Sequence, residues 1–295
     1  MDISRRSIAL LFFVIALSAQ LGTARATPKV AVLSFGNTST GRSVTAAMAK
    51  LIAAETDVTL VDRDLAQAAA RGVGYSGSLN LTLQEARDLG AAIGCDFYFT
   101  GDAQTVRRSP STGSPYFEAY AAVFLVSSRS GRLIVWERPS SEGATAEQAE
   151  QSLLAQISNT ESRRHYQLSL KKAQQDEISQ LQIGNERDTP LIEEAPASEN
   201  EQSGLRLPRP YRRLRPAYPD SAARADAEGV VDVLLDLDKD GEISRVEVAR
   251  WAGFGLDEAT VNTVRQLHFF PAHRDGVPIP MRVLLRYNFR KPVGP

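Results

Sequence analysis

Cysteine is almost absent from the sequence: Cys95 is the single one in 295 residues. This scarcity excludes an internal disulfide, and it excludes metal sites built from several thiolates. Cys95 also lies far from the amino terminus, where a lipid-carrying cysteine would have to be. We therefore expect Cys95 to be a small buried apolar residue, and we expect packing alone to stabilise the fold.

Histidine is nearly as scarce, and no catalytic grouping accompanies it. The three histidines are His165, His268 and His273, without a cysteine or carboxylate at zinc-binding spacing. The sequence shows no grouping of serine, histidine and acid, no phosphate-binding glycine loop and no Gly-x-Ser-x-Gly motif. These absences predict a protein that is not an enzyme and that uses no metal or cofactor.

The sequence also has no large excess of positive or negative charge. Lys and Arg total 34 against 35 Asp and Glu, which gives a formal net charge of -1. Because proteins that hold nucleic acid commonly carry a basic field, we expect no nucleic-acid partner.

Long apolar runs are confined to the amino terminus. Arg5 and Arg6 precede the apolar residues 8–17, and Ala24-Arg25-Ala26 has the small residues of a cleavage site. We expect residues 1–26 to be a secretory signal that directs the chain to the periplasm. The alternative is an uncleaved inner-membrane anchor, although the apolar run is shorter than the ~20 residues that span a bilayer.

Short apolar strands alternate with helices between residues 28 and 157. Val30 to Phe35 predicts a buried strand, and similar runs recur between segments with apolar residues at three- and four-residue spacing. Tyr116 to Val126 and Leu133 to Trp136, joined through Ser130-Gly131, predict an antiparallel hairpin. This order predicts an α/β sandwich with a mixed sheet.

Residues 158–204 show no sustained apolar pattern. We expect a solvated polar helix from 158 to 183 and then a disordered linker from 184 to 204, rich in Glu, Asn, Ser and Pro. A basic run follows that consists of Arg209, Arg212, Arg213 and Arg215. It is either a solvated lead into the next domain or a contact with anionic lipid or cell wall.

The last third of the chain alternates with a period of two, which is typical of half-buried strands. Apolar residues occupy every second position from Val231 to Leu237, and Asp240-Gly241 turns the chain into a returning strand. An amphipathic helix from 256 to 267 follows, and residues 281–289 alternate again. With a short preceding helix, this order predicts helix, β-hairpin, helix and strand around a three-stranded antiparallel sheet. The whole chain is then of the α+β class.

Several motifs in this last third carry a family resemblance. They are Tyr218-Pro219, Gly229-Val230-Val231, Asp240-Gly241, Leu256-Asp257, Val264-Arg265, Phe269 with Pro271-Ala272, and Gly276 before the last strand. In this order they resemble the TonB carboxy-terminal domain family over residues 205–291. The resemblance implies a periplasmic domain that binds a Ton-box segment of an outer-membrane transporter, or a similar segment of another envelope protein.

The resemblance also implies where the partner binds. If the last strand is an open sheet edge, its unpaired N–H and C=O groups can take up an extended peptide as an added strand. We expect Arg282 and Arg286 to be available to an acidic partner. The residues predicted to bind the partner are Met281, Arg282, Val283, Leu284, Leu285, Arg286, Tyr287 and Tyr218.

The chain departs from the family's energy transducers, which act with inner-membrane motor proteins. Its amino-terminal segment looks cleavable and lacks their Ser and His, and its linker is short and not strongly proline-rich. A soluble envelope adaptor is therefore an alternative to an energised transducer. A tether that holds peptidoglycan through the basic run is another.

A calcium sensor is a further alternative. Asp236, Asp238, Asp240, Gly241 and Glu247 fit the loop pattern of an EF-hand. Such a loop requires a helix on each side, however, and its flanks here alternate with the period of strands. We therefore expect a hairpin at this place and no calcium site.

The amino-terminal domain carries a second resemblance. Val30 to Phe35, Leu60-Val61-Asp62-Arg63, Gly94-Cys95-Asp96 and Ser130-Gly131 are similar to motifs of the α/β domain shared by CsgG-like proteins and the TolB amino-terminal domain. Cys95 stands where that group usually has alanine. The resemblance implies a module for envelope assembly or interaction.

Overall fold

A computed structural model of the protein describes residues 27–184, 192–196 and 204–291. The predicted signal, residues 1–26, and much of the predicted linker lie outside the described residues. Among the described residues, no helix is both long and apolar enough to cross a membrane. Helices and mixed sheets in two successive domains confirm the α+β class.

The amino-terminal domain alternates strands with helices. Its elements are β1 (Lys29–Val32), α1 (Ser39–Ala53), β2 (Thr59–Leu60), α2 (Arg63–Gly72), β3 (Leu81–Thr82), α3 (Leu83–Ile93), β4 (Phe97–Arg108), β5 (Tyr116–Ser127), β6 (Leu133–Glu137), β7 (Ser140–Gly143), α4 (Ala146–Ile157) and α5 (Thr160–Gly184). All strands but β3 form one sheet in the order β2-β1-β4-β5-β6, with β7 also on β5. Because β1 is parallel to β2 and β4 while the other pairs are antiparallel, the sheet is mixed.

Both faces of this sheet are buried. Val30 and Val32 of β1 pack in a cluster with α1, α4 and α5, whereas Ala31 and Leu33 pack with α2 and α3 on the opposite face. A continuous apolar run is typical of a strand that is covered on both sides. The layers therefore form the α/β sandwich that the sequence predicted.

Helix α5 differs from the solvated helix expected for residues 158–183. Tyr166, Leu170 and Ala173 are buried in the amino-terminal core, and the Tyr166 ring meets Phe99 edge-on at 5.3 Å. The Tyr166 hydroxyl also contacts the Glu137 carboxylate. A narrow stripe of small and apolar residues is enough to fix a helix that is polar elsewhere. These three side chains consequently attach α5 to the amino-terminal domain.

The carboxy-terminal domain contains the remaining elements. They are β8 (Glu193–Glu194), β9 (Leu205–Arg206), β10 (Arg209–Pro210), α6 (Asp220–Ala225), β11 (Gly229–Leu237), β12 (Ile243–Trp251), α7 (Leu256–Val264), β13 (Phe269–Phe270), β14 (Ala272–Arg274), β15 (Val277–Ile279) and β16 (Met281–Phe289). Strands β12, β11 and β16 form the predicted antiparallel sheet, and α7 packs against its apolar face.

Two further strands extend this sheet beyond the three that the sequence predicted. On one side β3 of the amino-terminal domain pairs with the end of β12, and on the other side β8 pairs with the start of β16. The complete order is β3-β12-β11-β16-β8. Because β8 lies at residues 193–194, part of the segment expected to be a disordered linker is a strand.

An aromatic cluster joins the two domains. Trp251 at the end of β12 is buried in the core of the amino-terminal domain, where its ring lies 5.8 Å from that of Phe124. Its indole N–H donates to the carbonyl oxygen of Gly131 at 3.0 Å. Phe254 meets Phe124 edge-on at 5.6 Å. The carboxy-terminal domain thus covers part of the sheet face that α2 and α3 leave open.

Candidate protein-binding edge

Strand β16 has the two-residue alternation that the sequence predicted. Met281, Val283 and Phe289 are buried, whereas Leu284 and Arg286 are exposed. The buried side chains pack in the core of the carboxy-terminal domain with α7 and β11. The opposite face of the strand points away from this core.

One backbone edge of β16 is largely without a strand. Along its other edge β16 pairs with β11 over its whole length, from Met281 to Phe289. Within the described residues, β8 covers only Met281 and Arg282 on the second edge. We call the rest of that edge, residues 283–289, the open edge.

One hydrogen bond shows which backbone groups of β16 point to the open edge. The N–H of Ala195 donates to the carbonyl oxygen of Arg282 at 2.8 Å, so the backbone of Arg282 faces β8. Backbone groups of alternate residues in a strand point to the same side. Leu284, Arg286 and Asn288 therefore direct their N–H and C=O groups to the open edge.

The two arginines predicted to be available to an acidic partner are already paired. Arg282 donates two hydrogen bonds to Asp236, at 2.6 and 2.9 Å, and Arg286 donates two to Asp232, at 2.7 and 2.9 Å. Both carboxylates are only 4% exposed, so they require a cation beside them. The hydrogen bond to Asp236 raises the pKa of Arg282 above its ordinary value. Both side chains are thus engaged within the sheet, and binding of an acidic partner by Arg282 or Arg286 stays a prediction.

Leu284 is the exposed apolar side chain on this face of the strand. It is 52% exposed and lies opposite Leu234 of β11, between the two arginine–aspartate pairs. An apolar side chain at a sheet edge can pack against the side chain of an added strand. Leu284 is consequently the predicted binding residue that the structure leaves most accessible for packing.

Tyr218 has a role within its own domain. Its hydroxyl donates to the carbonyl oxygen of Ala227 at 2.7 Å, and its ring packs, half-buried, against the carboxy-terminal core. Burial raises the pKa of this hydroxyl. The contact fixes the segment that links α6 to β11. Binding of a partner by Tyr218 stays a prediction.

The carboxylates of the EF-hand pattern are engaged in separate contacts of a hairpin. Asp236 pairs with Arg282, while Asp238 accepts hydrogen bonds from the backbone N–H groups of Asp240 and Glu242, both at 2.9 Å. The Glu247 carboxylate accepts a hydrogen bond from a neighbouring arginine on β12. Among the described residues, no three His, Cys, Asp or Glu side chains are grouped to hold a metal ion. The structure does not support the calcium alternative.

Cys95 is buried as the sequence predicted. Its thiol lies 3.4 Å from the Ser128 hydroxyl, and burial raises its pKa to about 11. A thiol with so high a pKa is protonated near neutral pH, and it is a poor nucleophile.

The basic run borders an exposed aromatic pair that sequence reasoning missed. Tyr211 and Phe270 are each 59% exposed, and their ring centroids lie 4.3 Å apart. The pairing of β10 with β13 holds them together, and Arg212 and Arg213 beside Tyr211 are exposed. The signal in the sequence was the adjacent pair Phe269 and Phe270. Neighbouring side chains of a strand point to opposite faces, so only one of the two can face the core.

Comparison with known families identifies the domain that carries this edge. Residues 215–290 match the family model described as the Gram-negative bacterial TonB protein C-terminal. These residues are thus similar to that family, as the sequence motifs predicted. No curated protein matches the chain.

Several solved structures are similar to parts of this chain. The carboxy-terminal domain of TonB from Pseudomonas aeruginosa is 22% identical, and the alignment covers 32% of this chain and 94% of that one with a TM-score of 0.26. The carboxy-terminal domain of LpoB from Salmonella enterica is 15% identical, with 43% and 90% covered and a TM-score of 0.29. Lipoprotein GNA1162 from Neisseria meningitidis is 12% identical, with 45% and 99% covered and a TM-score of 0.31.

Proposed function

We propose that this protein binds an extended segment of another envelope protein by adding it as a strand to the open edge of β16. One observation carries the proposal. The edge of β16 opposite β11 already holds a short added strand at Met281 and Arg282, whereas no strand of the described residues lies on that edge at residues 283–289. An open edge of this kind is a template for an extended peptide.

The chemistry of the open edge suits strand addition better than recognition by charge. The N–H and C=O groups of Leu284, Arg286 and Asn288 supply backbone hydrogen bonds, and the exposed Leu284 side chain supplies an apolar contact. Arg286 is held by Asp232 and contributes its backbone. We therefore expect binding to depend mainly on main-chain pairing.

The proposed location is the periplasm, because residues 1–26 have the pattern of a secretory signal. The proposed partner is an outer-membrane transporter, since the edge belongs to a TonB-type domain. An adaptor is favoured over an energy transducer, because Trp251 packs the carboxy-terminal domain into the core of the amino-terminal domain. Such packing holds the open edge in a fixed place relative to the amino-terminal domain.

The test uses the full chain and synthetic peptides from the plug domains of outer-membrane transporters. Leu284→Pro removes a backbone donor from the open edge without touching the pairing to β11. We expect it to weaken peptide binding about tenfold, because a hydrogen bond and its geometry are lost. Leu284→Ala keeps the N–H and is the matched control, with an expected loss of about threefold.

Calorimetry measures both affinities, and circular dichroism confirms that each variant is folded. Peptides that bind the folded proline variant as tightly as the alanine variant would show that the open edge is not the binding site. A peptide that binds neither variant nor the unaltered chain would remove the proposal for that class of partner.

A second candidate function is a cell-wall tether, which the exposed aromatic pair favours. Tyr211 and Phe270 form an exposed aromatic patch beside Arg212 and Arg213, with ring planes tilted by 47°, and the face of either ring can pack against a sugar ring. We expect the full chain to co-sediment with purified peptidoglycan and the double variant Tyr211→Ser, Phe270→Ser to remain in solution. Equal sedimentation of both proteins would exclude a tether through these rings.

A further inference from the structure

The strand that already lies on β16 belongs to the same chain. β8 runs parallel to β16, with Glu193 opposite Met281 and Glu194 opposite Arg282. The N–H of Ala195 donates to the carbonyl oxygen of Arg282 at 2.8 Å. This is the kind of backbone contact that an added partner strand makes. Part of the linker therefore uses the same edge as the proposed partner.

Few contacts hold β8 in place. The Glu193 carboxylate lies 2.5 Å from Arg274, but the two side chains are 43% and 46% exposed, and ion pairs in water contribute little to stability. Ala195 is half-buried against the carboxy-terminal core. Pro196 follows and lacks an N–H, which suits a strand that is the last of its sheet among the described residues. A strand of this size is displaced at low cost.

The chain keeps β8 close to the edge in spite of these weak contacts. Helix α5 ends at Gly184 and the carboxy-terminal domain resumes at Gly204, so β8 is tethered on both sides. A short tether gives a segment an effective concentration on the order of millimolar. Even a weak strand at that concentration competes with a peptide that arrives from solution.

We propose that residues 193–195 are an internal competitor for the β16 edge, and that a partner gains the whole edge only by displacing them. This inference rests on the proposed function, because it concerns the regulation of the same edge. A partner first pairs with residues 283–289, which β8 leaves open. It then extends over Met281 and Arg282 as β8 departs.

The first test measures peptide affinity in the full chain. Ala195→Pro removes the N–H that β8 donates to Arg282, so the competitor is weakened while β16 itself is unchanged. We expect the transporter plug-domain peptides to bind this variant about three to ten times more tightly. Ala195→Gly keeps the N–H and should bind within about twofold of the unaltered chain. Equal affinity of the proline variant and the unaltered chain overturns the inference.

The second test needs no partner. Hydrogen exchange of the Ala195 amide should be slowed about tenfold or more relative to an unstructured alanine, because its N–H is bonded. Glu193→Lys places two cations together at Arg274 and should remove this protection. Exchange of Ala195 at the unstructured rate in the unaltered chain overturns the inference even if peptides bind.

A third probe separates failure of this inference from failure of the proposed function. If no transporter peptide binds any variant, the proposed function fails for that partner. A synthetic peptide of residues 191–197 is then added to the Ala195→Pro variant. Binding of this peptide supports internal competition at the edge. If the peptide does not bind and the Ala195 amide of the unaltered chain is not protected from hydrogen exchange, both the proposed function and the internal competition are overturned.

Discussion

The side-chain amide of Asn80 donates a hydrogen bond to the carbonyl oxygen of Trp251 at 2.7 Å. The same amide also donates to the carbonyl oxygen of Val230 and accepts from the Val230 N–H, at 2.8 and 3.0 Å. Val230 and Trp251 lie where the pairing of β11 with β12 ends, beyond the pair of Asp232 and Arg250. The Asn80 side chain of the amino-terminal domain thus supplies the hydrogen bonds that the next residue pair of β11 and β12 would make.

We predict that Asn80→Ala loosens the contact between the domains. Three backbone groups lose their partner, at a cost of about 2–4 kcal/mol in the free energy of unfolding. Urea unfolding followed through tryptophan fluorescence measures this cost. The matched control is Asn262→Ala on the exposed side of α7, which should stay within about 0.5 kcal/mol of the unaltered chain. Equal effects of the two substitutions would contradict the role given to Asn80.

A second prediction concerns Gly253, which follows the aromatic end of β12. Its φ is +70°, and a Cβ at this position would lie 2.4 Å from the Phe124 ring. Gly253→Ala should therefore destabilise the protein by about 2–4 kcal/mol through backbone strain and displacement of the ring. Gly72→Ala at the end of α2 meets open space and should change stability by less than about 0.5 kcal/mol. If thermal unfolding shows no difference between these two variants, position 253 does not approach the Phe124 ring closely.

We expect Asp257 to make the free energy of unfolding dependent on pH. Its carboxylate accepts hydrogen bonds from the N–H groups of Ala252 and Gly253, at 2.9 and 2.7 Å. Burial raises its pKa from an ordinary 3.8 to about 7. Because the folded-state pKa is the higher one, the buried neutral acid favours the fold. This contribution is present in full below about pH 4 and is lost as the pH rises to about 7.

We predict that the unfolding free energy of the unaltered chain falls relative to that of Asp257→Asn between pH 4 and pH 8. The difference between pKa values of 3.8 and about 7 corresponds to a change of ~4 kcal/mol at most. Urea unfolding of both proteins across this range measures the change. Asp64→Asn, at a carboxylate 89% exposed in the first turn of α2, should show no such trend. An advantage of the unaltered chain that grows with pH would mean that the ionised carboxylate is the favoured form.

Local sequence patterns predicted the secondary-structure elements better than they predicted which residues contact one another. Helix α3 carries its bounds in neighbouring residues, since Thr82 and Glu85 form a capping box and Gly94 ends the helix in the left-handed region. The strands around the Asp240 turn were predicted from their alternation. Both signals arise from neighbouring residues, so they are visible without the rest of the fold.

Contacts between distant segments were missed, since periodicity shows which face is buried and not what buries it. Asp232 and Asp236 looked like a solvated face, although each pairs with an arginine of β16. The four-residue spacing of the two aspartates is repeated by Arg282 and Arg286, and this matched spacing was the available signal. Neither Asn80 nor β8 carried a comparable signal, because each is a short segment whose partners lie far away in the sequence.

The last prediction tests whether the arginines of β16 are committed to the fold. Arg282→Ala leaves Asp236, whose side chain is 6% exposed, without its cation and should cost about 3 kcal/mol. In a double-mutant cycle with Asp236→Ala, we expect a coupling of about 1–3 kcal/mol. The pair of Arg245 and Glu247, whose side chains are 55% and 20% exposed, serves as the more solvated control, with a coupling below about 1 kcal/mol. A coupling near zero for Arg282 and Asp236 would mean that Arg282 is not committed to Asp236 and is available to an acidic partner.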